Sequence, residues 1–205
     1  MVIEGILTTE NGDGSMHVSP IGPHVDLDLT SWTLKPFQSS KTFANLRDHS
    51  RAVFHVVDDP LLMAAAVLGL CNPSESSAES SGGSAIGLSY GQISELVAAR
   101  FDDEIGWVLD LSCRSFGLAV NHWDVSEPRA IANCALVRQA EHRAFWGWNR
   151  ARHSILELAI VASRKHMLDP FEIAGELVRH KIIIEKTAGA REIAAWELLN
   201  RHLSQ

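Results

Sequence analysis

The fold class changes within residues 129–157, RAIANCALVRQAEHRAFWGWNRARHSILE. The first half of this stretch is rich in small and apolar residues and is typical of a long strand over 129–143. From Phe145 onward, apolar residues recur at three- and four-residue intervals, which is the spacing of one helix face. The stretch therefore predicts a β part that ends near residue 143 and an α part that follows it. Such a chain is of the α+β class.

The rest of the chain extends this division. Strands are predicted upstream over residues 2–9, 16–19, 29–34, 51–57 and 107–120, with a turn at 11–14 and short helices over 42–49 and 60–69. Pro20 and Pro23 cannot donate to a strand ladder, so the segment around them is expected at a sheet edge, in a bulge or in an irregular strand. Residues 72–84, rich in Ser and Gly, predict a surface loop. Helices are predicted downstream over 145–166, 170–179 and 190–202. We expect a β domain over residues 1–143 and a helical region over residues 144–205.

The composition is that of a globular protein. The 205 residues carry a formal net charge of -7, 46% of them are hydrophobic, and the mean hydropathy is +0.01. The longest apolar run, residues 61–71, is too short to cross a bilayer, and the N-terminus lacks the basic start of a signal peptide. An acidic protein of this kind is not expected to bind nucleic acid or to enter a membrane. Three widely separated cysteines predict free thiols in a reducing cytoplasm, namely Cys71, Cys113 and Cys134.

Charge is distributed unevenly along the chain. Residues 1–137 contain 7 basic and 17 acidic side chains, whereas residues 138–205 contain 11 basic and 8 acidic ones. No Lys or Arg precedes Lys35 in the sequence. The first cations of the acidic part, Lys35 and Lys41, therefore form a local positive feature that favours a single anion.

The segment that contains these lysines runs from a predicted strand into a predicted helix and reads Lys35-Pro36-Phe37-Gln38-Ser39-Ser40-Lys41-Thr42-Phe43-Ala44-Asn45-Leu46. Such a junction presents free backbone N–H groups and the positive end of the helix dipole. Hydroxyl donors at Ser39, Ser40 and Thr42 make it a candidate phosphate site, although the glycine-rich pattern of a Walker motif is absent. The alternative is an ordinary serine-capped helix with solvated lysines.

A second candidate lies on the helix that is predicted to follow residue 145. At about 100° per residue, Asn149, His153, Glu157 and Arg164 share one sector of that helix. The sector aligns an amide, an imidazole, a carboxylate and a guanidinium, which would suit a binding or catalytic site. The alternative is a solvated face that carries a common His–Glu pair.

Other chemistries have little support in the sequence. No further ligands accompany His153 and Glu157 at metal-binding spacing, so no metal site is expected. Neither a Gly-x-Ser-x-Gly pattern nor a recognisable cysteine nucleophile occurs. His55 lies inside an apolar strand and is predicted to be a hydrogen-bonded core histidine. Asp58 and Asp59 are interpreted as turn and helix-start residues.

Several motifs occur in an order that resembles a known family. They span residues 2–9, 22–26, 35–42, 53–59, 147–153 and 185–189. Together they resemble a prokaryotic domain-of-unknown-function family whose members look like flavin-reductase-type, FMN-binding split barrels with an added C-terminal helical region. Some members are linked to tetrahydromethanopterin synthesis. The resemblance extends over the whole chain.

The resemblance implies a six-stranded Greek-key split barrel that forms a homodimer, with FMN at the subunit interface. It implies that the flavin phosphate lies against the segment containing Lys35, Ser39, Ser40, Lys41, Thr42 and Asn45. The irregular strand, through Ser19 and Ile21, would then present backbone groups to the flavin ring. Candidates to cover the flavin or contact a substrate are Asn149, Arg150 and Lys186, and the candidate catalytic residue is His153.

Two functions are compatible with this resemblance. A flavin-dependent oxidoreductase would pass electrons between FMN and a small-molecule substrate that the sequence does not identify. A flavin-binding module without turnover, such as a storage or sensor protein, would bind FMN but would not accelerate its reduction. A third hypothesis is that the more basic C-terminal helices bind a polyanion or a partner protein.

Overall fold

The computed structural model describes residues 1–72 and 88–205, which form two compact units. The first unit comprises residues 1–57 and 98–145, and the second comprises the described residues of 58–97 and 146–205. The second unit thus includes a segment that the sequence analysis assigned to the β domain. The physical reason is helix α2 (Pro60–Val67), which is buried over residues 60–66 and packs against two C-terminal helices. From residue 73 onward, the predicted loop over 72–84 lies outside the described residues.

The first unit combines strands with one helix. Its helix is α1 (Lys41–His49), and its strands are β1 (Gly5–Glu10), β2 (Met16–Ile21), β3 (His24–Val25), β4 (Ser31–Leu34), β5 (Arg51–Val56), β6 (Ala99–Asp102), β7 (Gly106–Leu109), β8 (Arg114–Asp124) and β9 (Ile131–Glu141). The prediction of one strand over 107–120 was wrong, because a turn separates β7 from β8. Ser112 closes this turn: its N–H and its hydroxyl both donate to the Leu109 carbonyl, at 3.2 and 2.7 Å.

Seven strands form one antiparallel sheet in the order β2-β1-β5-β8-β9-β4-β3, while β6 and β7 form a separate hairpin. The register that pairs Gly5 with Ile21 continues past the end of β2, because Val2 forms a bridge with His24 of β3. Met1 and Val25 then exchange two main-chain hydrogen bonds of 2.8 Å. Strands β2 and β3 are therefore two halves of one interrupted strand, which pairs with the N-terminal residues and β1 on one side and, through β3, with β4 on the other. Through this interrupted strand the sheet closes into the six-stranded barrel that the resemblance implied.

The barrel interior is an aromatic and aliphatic core. The Trp32 ring lies 5.3 Å from the Phe54 ring and 4.8 Å from the Phe116 ring, and all three side chains are fully buried. Leu46 of α1 belongs to the same core, so the helix closes one end of the barrel. Tilted aromatic contacts of this kind stabilise a core beyond simple area burial.

His55 lies in β5 with its side chain on the opposite face from Phe54 and is completely buried, as predicted for a core histidine. Its Nδ1 lies 3.2 Å from the Ile6 carbonyl, and its Nε2 accepts a 3.1 Å hydrogen bond from the Leu109 N–H. A carbonyl can only accept, so the neutral ring carries its proton on Nδ1. Burial is the main reason that the pKa of His55 falls from 6.5 to about 3. The ring thus connects β1, β5 and β7 in its neutral form.

The second unit is helical. Besides α2 it contains α3 (Tyr90–Leu96), α4 (Arg150–Ser163), a short 3-10 turn (Lys165–Met167), α5 (Pro170–Thr187) and α6 (Ala190–Leu203). Asp59 caps α2 by accepting from the N–H groups of Leu61 and Leu62, which confirms its interpretation as a helix-start residue. Helix α4 begins later than the predicted residue 145, after Gly147 at φ +101° and the capping residue Asn149. Within the described parts of the chain, no helix has both the length and the apolar character that crossing a membrane requires.

His55 should make stability depend on pH in one direction. Below pH 6.5 the His55 ring is protonated in the unfolded chain, whereas in the folded chain it stays neutral until about pH 3. Stability therefore falls as the pH falls from 6.5 towards 3. Between pH 7.5 and pH 5 the loss attributable to His55 is about 2 kcal/mol. Urea unfolding of His55→Gln should show that much less pH dependence than the wild type. Replacing the exposed His24 by Gln is the matched control, and an equal slope in all three proteins would contradict the assignment.

Candidate functional site

The start of helix α1 is built to leave two amide donors available. Ser40 caps the helix: its Oγ accepts from the Phe43 N–H at 3.1 Å and its hydroxyl donates to the Phe37 carbonyl at 2.7 Å. The cap satisfies the third amide of the helix, whereas the amides of Lys41 and Thr42 have no intrahelical acceptor because they open the first turn. Ser39 is exposed immediately before the cap. This geometry supports the predicted anion site at the start of α1.

A third cation joins the two predicted lysines. The turn between β8 and β9 is fastened to the loop before α1, since the Gln38 N–H donates to the Pro128 carbonyl at 3.0 Å and the Ala130 N–H donates to the Pro36 carbonyl at 3.0 Å. This fastening brings Arg129 to the loop. Its guanidinium lies 4.0 Å from the centre of the Phe37 ring, and its Nη1 donates to the Lys35 carbonyl at 3.4 Å. Sequence reasoning missed Arg129 because nothing in the local sequence relates it to residue 35.

The three cations keep their charge available. Among the described residues, Lys35, Lys41 and Arg129 form no ion pair with a carboxylate, unlike Arg51, Arg100 and Arg138 of the same unit. Hydrogen bonds from Ser15 are the main cause that lowers the pKa of Asp13, and the Lys41 charge lowers it to a lesser extent. The loop before α1 thus carries a local group of cations within an acidic unit.

Two of the predicted binding residues use their side chains elsewhere. Thr42 is buried, and its hydroxyl donates to Ser19 Oγ at 2.9 Å. Asn45 is buried as well, and its Nδ2 donates to Thr9 Oγ1 at 3.0 Å and to Asn11 Oδ1 at 2.9 Å. These side chains anchor α1 to β1 and β2, because positions 42, 45 and 46 lie on the helix face that covers the barrel. At the start of α1, Thr42 therefore offers only its backbone N–H.

The predicted irregular strand is β2, at one end of the sheet order. Ser19 faces Leu7 and Ile21 faces Gly5 in the pairing with β1. The second edge of β2 has no strand neighbour within the described part of the chain, and Ser19 and Ile21 are partly exposed. The prediction that Pro20 belongs to an edge strand is confirmed.

The remaining predicted residues lie in the helical unit. Asn149 is the N-cap of α4, since its Oδ1 accepts from the Arg152 N–H at 3.1 Å, and its Nδ2 donates to the Thr187 carbonyl at 3.3 Å. The start of α4 therefore adjoins the end of α5, where Lys186 lies exposed. The exposed His153 stacks on the Trp148 ring with 5.1 Å between the ring centres. Arg150, the first residue of α4, is also exposed. The Asn149 side chain thus has a structural role, because it caps α4 and ties the start of α4 to the end of α5.

An ionic cluster that the sequence analysis did not predict connects three helix starts of the same unit. Arg152 Nε donates to Glu192 Oε1 at 2.8 Å, and Arg152 Nη1 lies 3.6 Å from Asp58 Oδ2. Burial raises the pKa of Glu192, but the Arg152 hydrogen bond, the backbone N–H groups of Glu192 and Gly189, and the Arg152 charge together outweigh burial and hold this pKa below its ordinary value. Arg191 pairs with the capping residue Asp59 at 2.5 Å. The cluster fixes α2, α4 and α6 to one another.

Among the described residues of the barrel unit, one serine hydroxyl lies close to a histidine ring, but the pair is not arranged for hydrolytic chemistry. Ser115 Oγ lies 2.8 Å from His142 Nε2, and Arg100 Nη2 lies 3.3 Å from His142 Nδ1. A guanidinium only donates, so Nδ1 of the neutral ring accepts and Nε2 holds the proton. His142 therefore donates to Ser115 and cannot act as its base. Burial and the nearby Arg100 charge both lower the pKa of His142.

The cysteines are equally unsuited to nucleophilic chemistry. All three are buried, and burial raises the pKa of the Cys71 and Cys134 thiols to about 12. In the described ranges, no group of three or more His, Cys, Asp or Glu side chains is placed to hold a metal ion.

The anchoring role of Asn45 can be tested through stability. Asn45→Ala leaves the Thr9 and Asn11 oxygens without their donor inside the protein, so the free energy of unfolding should fall by about 1–3 kcal/mol. Asp48→Ala, at an exposed position of the same helix, should change it by less than about 0.5 kcal/mol. Urea denaturation measures both. Equal effects of the two substitutions would contradict the anchoring role.

Comparison with known proteins places the fold. The FMN-bound protein MM1853 from Methanosarcina mazei, of the DUF447 family model, has a similar structure over 98% of this chain and 94% of that chain, with a TM-score of 0.73 and 15% sequence identity. The flavin reductase HpaC complexed with NADP+ is similar over 72% of this chain and 82% of that chain, with a TM-score of 0.51 and 10% identity. These likenesses concern the fold, and they confirm the predicted split barrel with C-terminal helices.

Sequence comparison gives the family. No curated protein sequence matches the chain. The model described as protein of unknown function (DUF447) N-terminal domain matches residues 3–143, and the model described as protein of unknown function (DUF447), for the C-terminal part, matches residues 149–201. The two matches together span most of the sequence, and the chain therefore belongs to the DUF447 family.

Proposed function

We propose that the protein binds FMN and acts as a flavin-dependent oxidoreductase on a small-molecule substrate. The observation that carries the proposal is the start of α1, where two helix amides have no intrahelical acceptor and where the loop before the helix brings together Lys35 and Arg129 ahead of Lys41. It is supported by the FMN-bound protein of the same family, whose fold matches nearly the whole of this chain.

The residues at α1 fit a phosphate monoester. Such a group carries about 1.5 to 2 negative charges at neutral pH and three acceptor oxygens. The amides of Lys41 and Thr42, the exposed Ser39 and the side chains of Lys35 and Arg129 offer matching donors and charge. An acidic chain repels polyanions in general, so a local cluster of this kind favours a small, single anion.

The ring system would lie along β2. The accessible edge of that strand at Ser19 and Ile21 offers backbone donors and acceptors of the kind that bind the polar edge of a flavin ring. The bound flavin would supply the redox chemistry, and the protein would supply its position and electrostatic environment. His153 is the proposed proton donor or acceptor, because it is an exposed imidazole held against the Trp148 ring.

The proposal also covers assembly and substrate. In accordance with the resemblance, two copies of the chain would bind FMN at their interface, with Arg150 and Lys186 contacting the flavin or the substrate. The expected link to tetrahydromethanopterin synthesis stays a prediction, and it names a pterin as the first substrate class to assay.

The phosphate site can be tested without disturbing the helix. Ser40→Asp keeps a good N-cap, because aspartate accepts from the same amide, but it places a negative charge where the phosphate would bind. The affinity for FMN should fall at least about tenfold, while the affinity for riboflavin, which lacks the phosphate, should change little. Flavin fluorescence titration measures both affinities.

Ser89→Asp is the matched control, since Ser89 caps α3 in the same way. It should leave FMN binding unchanged. Unaltered FMN affinity in Ser40→Asp would mean that the phosphate does not lie at α1. A wild-type protein that neither contains flavin after purification nor takes up FMN would overturn the whole proposal.

Turnover separates an enzyme from a flavin-binding module. The FMN-loaded protein should oxidise NADH or NADPH faster than the same concentration of free FMN, as followed by the loss of nicotinamide absorbance. Saturating binding with no acceleration over free FMN would favour the storage or sensor alternative. Boiled protein with added FMN is the control for flavin released into solution.

A further inference from the structure

The side chain of Gln38 connects two segments of the barrel unit that are far apart in sequence. Its Nε2 donates to the Val125 carbonyl at 2.9 Å and to the Glu127 carbonyl at 2.8 Å, across 87 and 89 residues of chain. Gln38 is exposed, so fixing its side chain costs conformational entropy that these bonds must offset. Both hydrogens of its amide are therefore used on the turn between β8 and β9.

This turn carries Arg129, and its two halves are held in different ways. The second half is held by the main chain, through the bridge between Phe37 and Arg129. Pro128, at the boundary, has no N–H to donate. Within the described part of the chain, residues 125–127 are tied to the loop before α1 by the Gln38 side chain and by no other hydrogen bond. Gln38 thus completes the fastening of the turn.

The side chain of Arg129 depends on that fastening. Its guanidinium lies 4.0 Å from the centre of the Phe37 ring, and its Nη1 donates to the Lys35 carbonyl at 3.4 Å. A hydrogen bond of this length is weak, and so is a cation–π contact at an exposed site. The guanidinium therefore stays over the ring only while the turn holds the backbone of Arg129 in place.

We propose that Gln38 is a positioning residue of the anion site, which holds the turn so that the Arg129 guanidinium is in place for a phosphate group. This inference rests on the proposed function, since it assumes that the phosphate of FMN binds at the start of α1. Gln38 acts through Arg129 and not by contact with the phosphate, because its own amide hydrogens are already used. A guanidinium that is already in place loses less freedom when the anion binds, so the affinity rises.

The position of Arg129 can be measured without flavin. Protons above an aromatic ring are shifted upfield, so the side-chain protons of Arg129 report its contact with Phe37 in an NMR spectrum of the full chain before FMN is added. Gln38→Met keeps the side-chain length and removes the amide. It should move these resonances more than halfway to their positions in Phe37→Leu, where the ring current is absent.

Gln139→Met is the matched control for this measurement. Gln139 is an exposed glutamine of the same unit, and its Oε1 accepts a hydrogen bond from Arg114 at 3.1 Å. Its replacement should leave the Arg129 resonances where they are in the wild type. Resonances that also stay in place in Gln38→Met would overturn the proposal.

FMN affinity tests whether Gln38 acts through Arg129. Arg129→Ala should lower the affinity about tenfold, because a charged donor to the phosphate is lost. Gln38→Met should lower it about threefold, because Arg129 is still present but less ordered. The double variant should bind no more weakly than Arg129→Ala alone, whereas independent effects would multiply. Riboflavin, which lacks the phosphate, should bind all of these variants with nearly equal affinity.

The two measurements separate this proposal from the proposed function. Multiplied effects in the double variant, or a normal FMN affinity in Gln38→Met beside a reduced one in Arg129→Ala, would overturn the positioning role alone. Displaced Arg129 resonances in Gln38→Met together with normal FMN affinity in Arg129→Ala would confirm that Gln38 orders Arg129. That same result would overturn the assignment of the phosphate to this loop.

Discussion

The pairing of residues 1–10 with residues 16–25 in a single register is the constraint on which the barrel unit depends. It holds the N-terminal residues against β3 as well as β2, and it thereby joins the two ends of a seven-stranded sheet. A one-residue slip would turn Leu7 and Val25 out of the core and would separate Met1 from Val25. The same register leaves β2 at one end of the sheet order, where its second edge has no strand neighbour among the described residues.

A closed barrel has an open end, and α1 covers one end of this barrel. The two sides of this helix have different roles. Thr42, Asn45 and Leu46 face the barrel and are satisfied there by hydroxyl, amide and apolar partners. Fixing that face fixes the direction of the helix, and hence the position of its first amides and of Lys41. The proposed anion site is therefore preorganised by side chains that face the barrel, and preorganisation reduces the entropic cost of binding.

Much of the architecture could be predicted from local sequence. The hairpin turn at 11–14, the serine cap at Ser40, the aspartate cap at Asp59 and the buried histidine at 55 all depend on residue types and their immediate neighbours. The structure differs from the sequence-based expectation where tertiary contacts decide the outcome. The strand over 107–120 is divided because β7 pairs with β6 in its own hairpin, and α2 joins the helical unit because it is apolar on every side and needs other helices to cover it.

The candidate site shows the same division. The sequence by itself determined the family resemblance, the strand-to-helix junction, and the cations at Lys35 and Lys41, because these are properties of a continuous segment. Only the tertiary structure decided that Thr42 and Asn45 turn inward, that Arg129 joins the loop from the β8–β9 turn, and that Arg152 pairs with Glu192. Helix periodicity and local turn chemistry are encoded within a few residues. The meeting of side chains far apart in sequence depends on strand register and chain closure, which no local pattern contains.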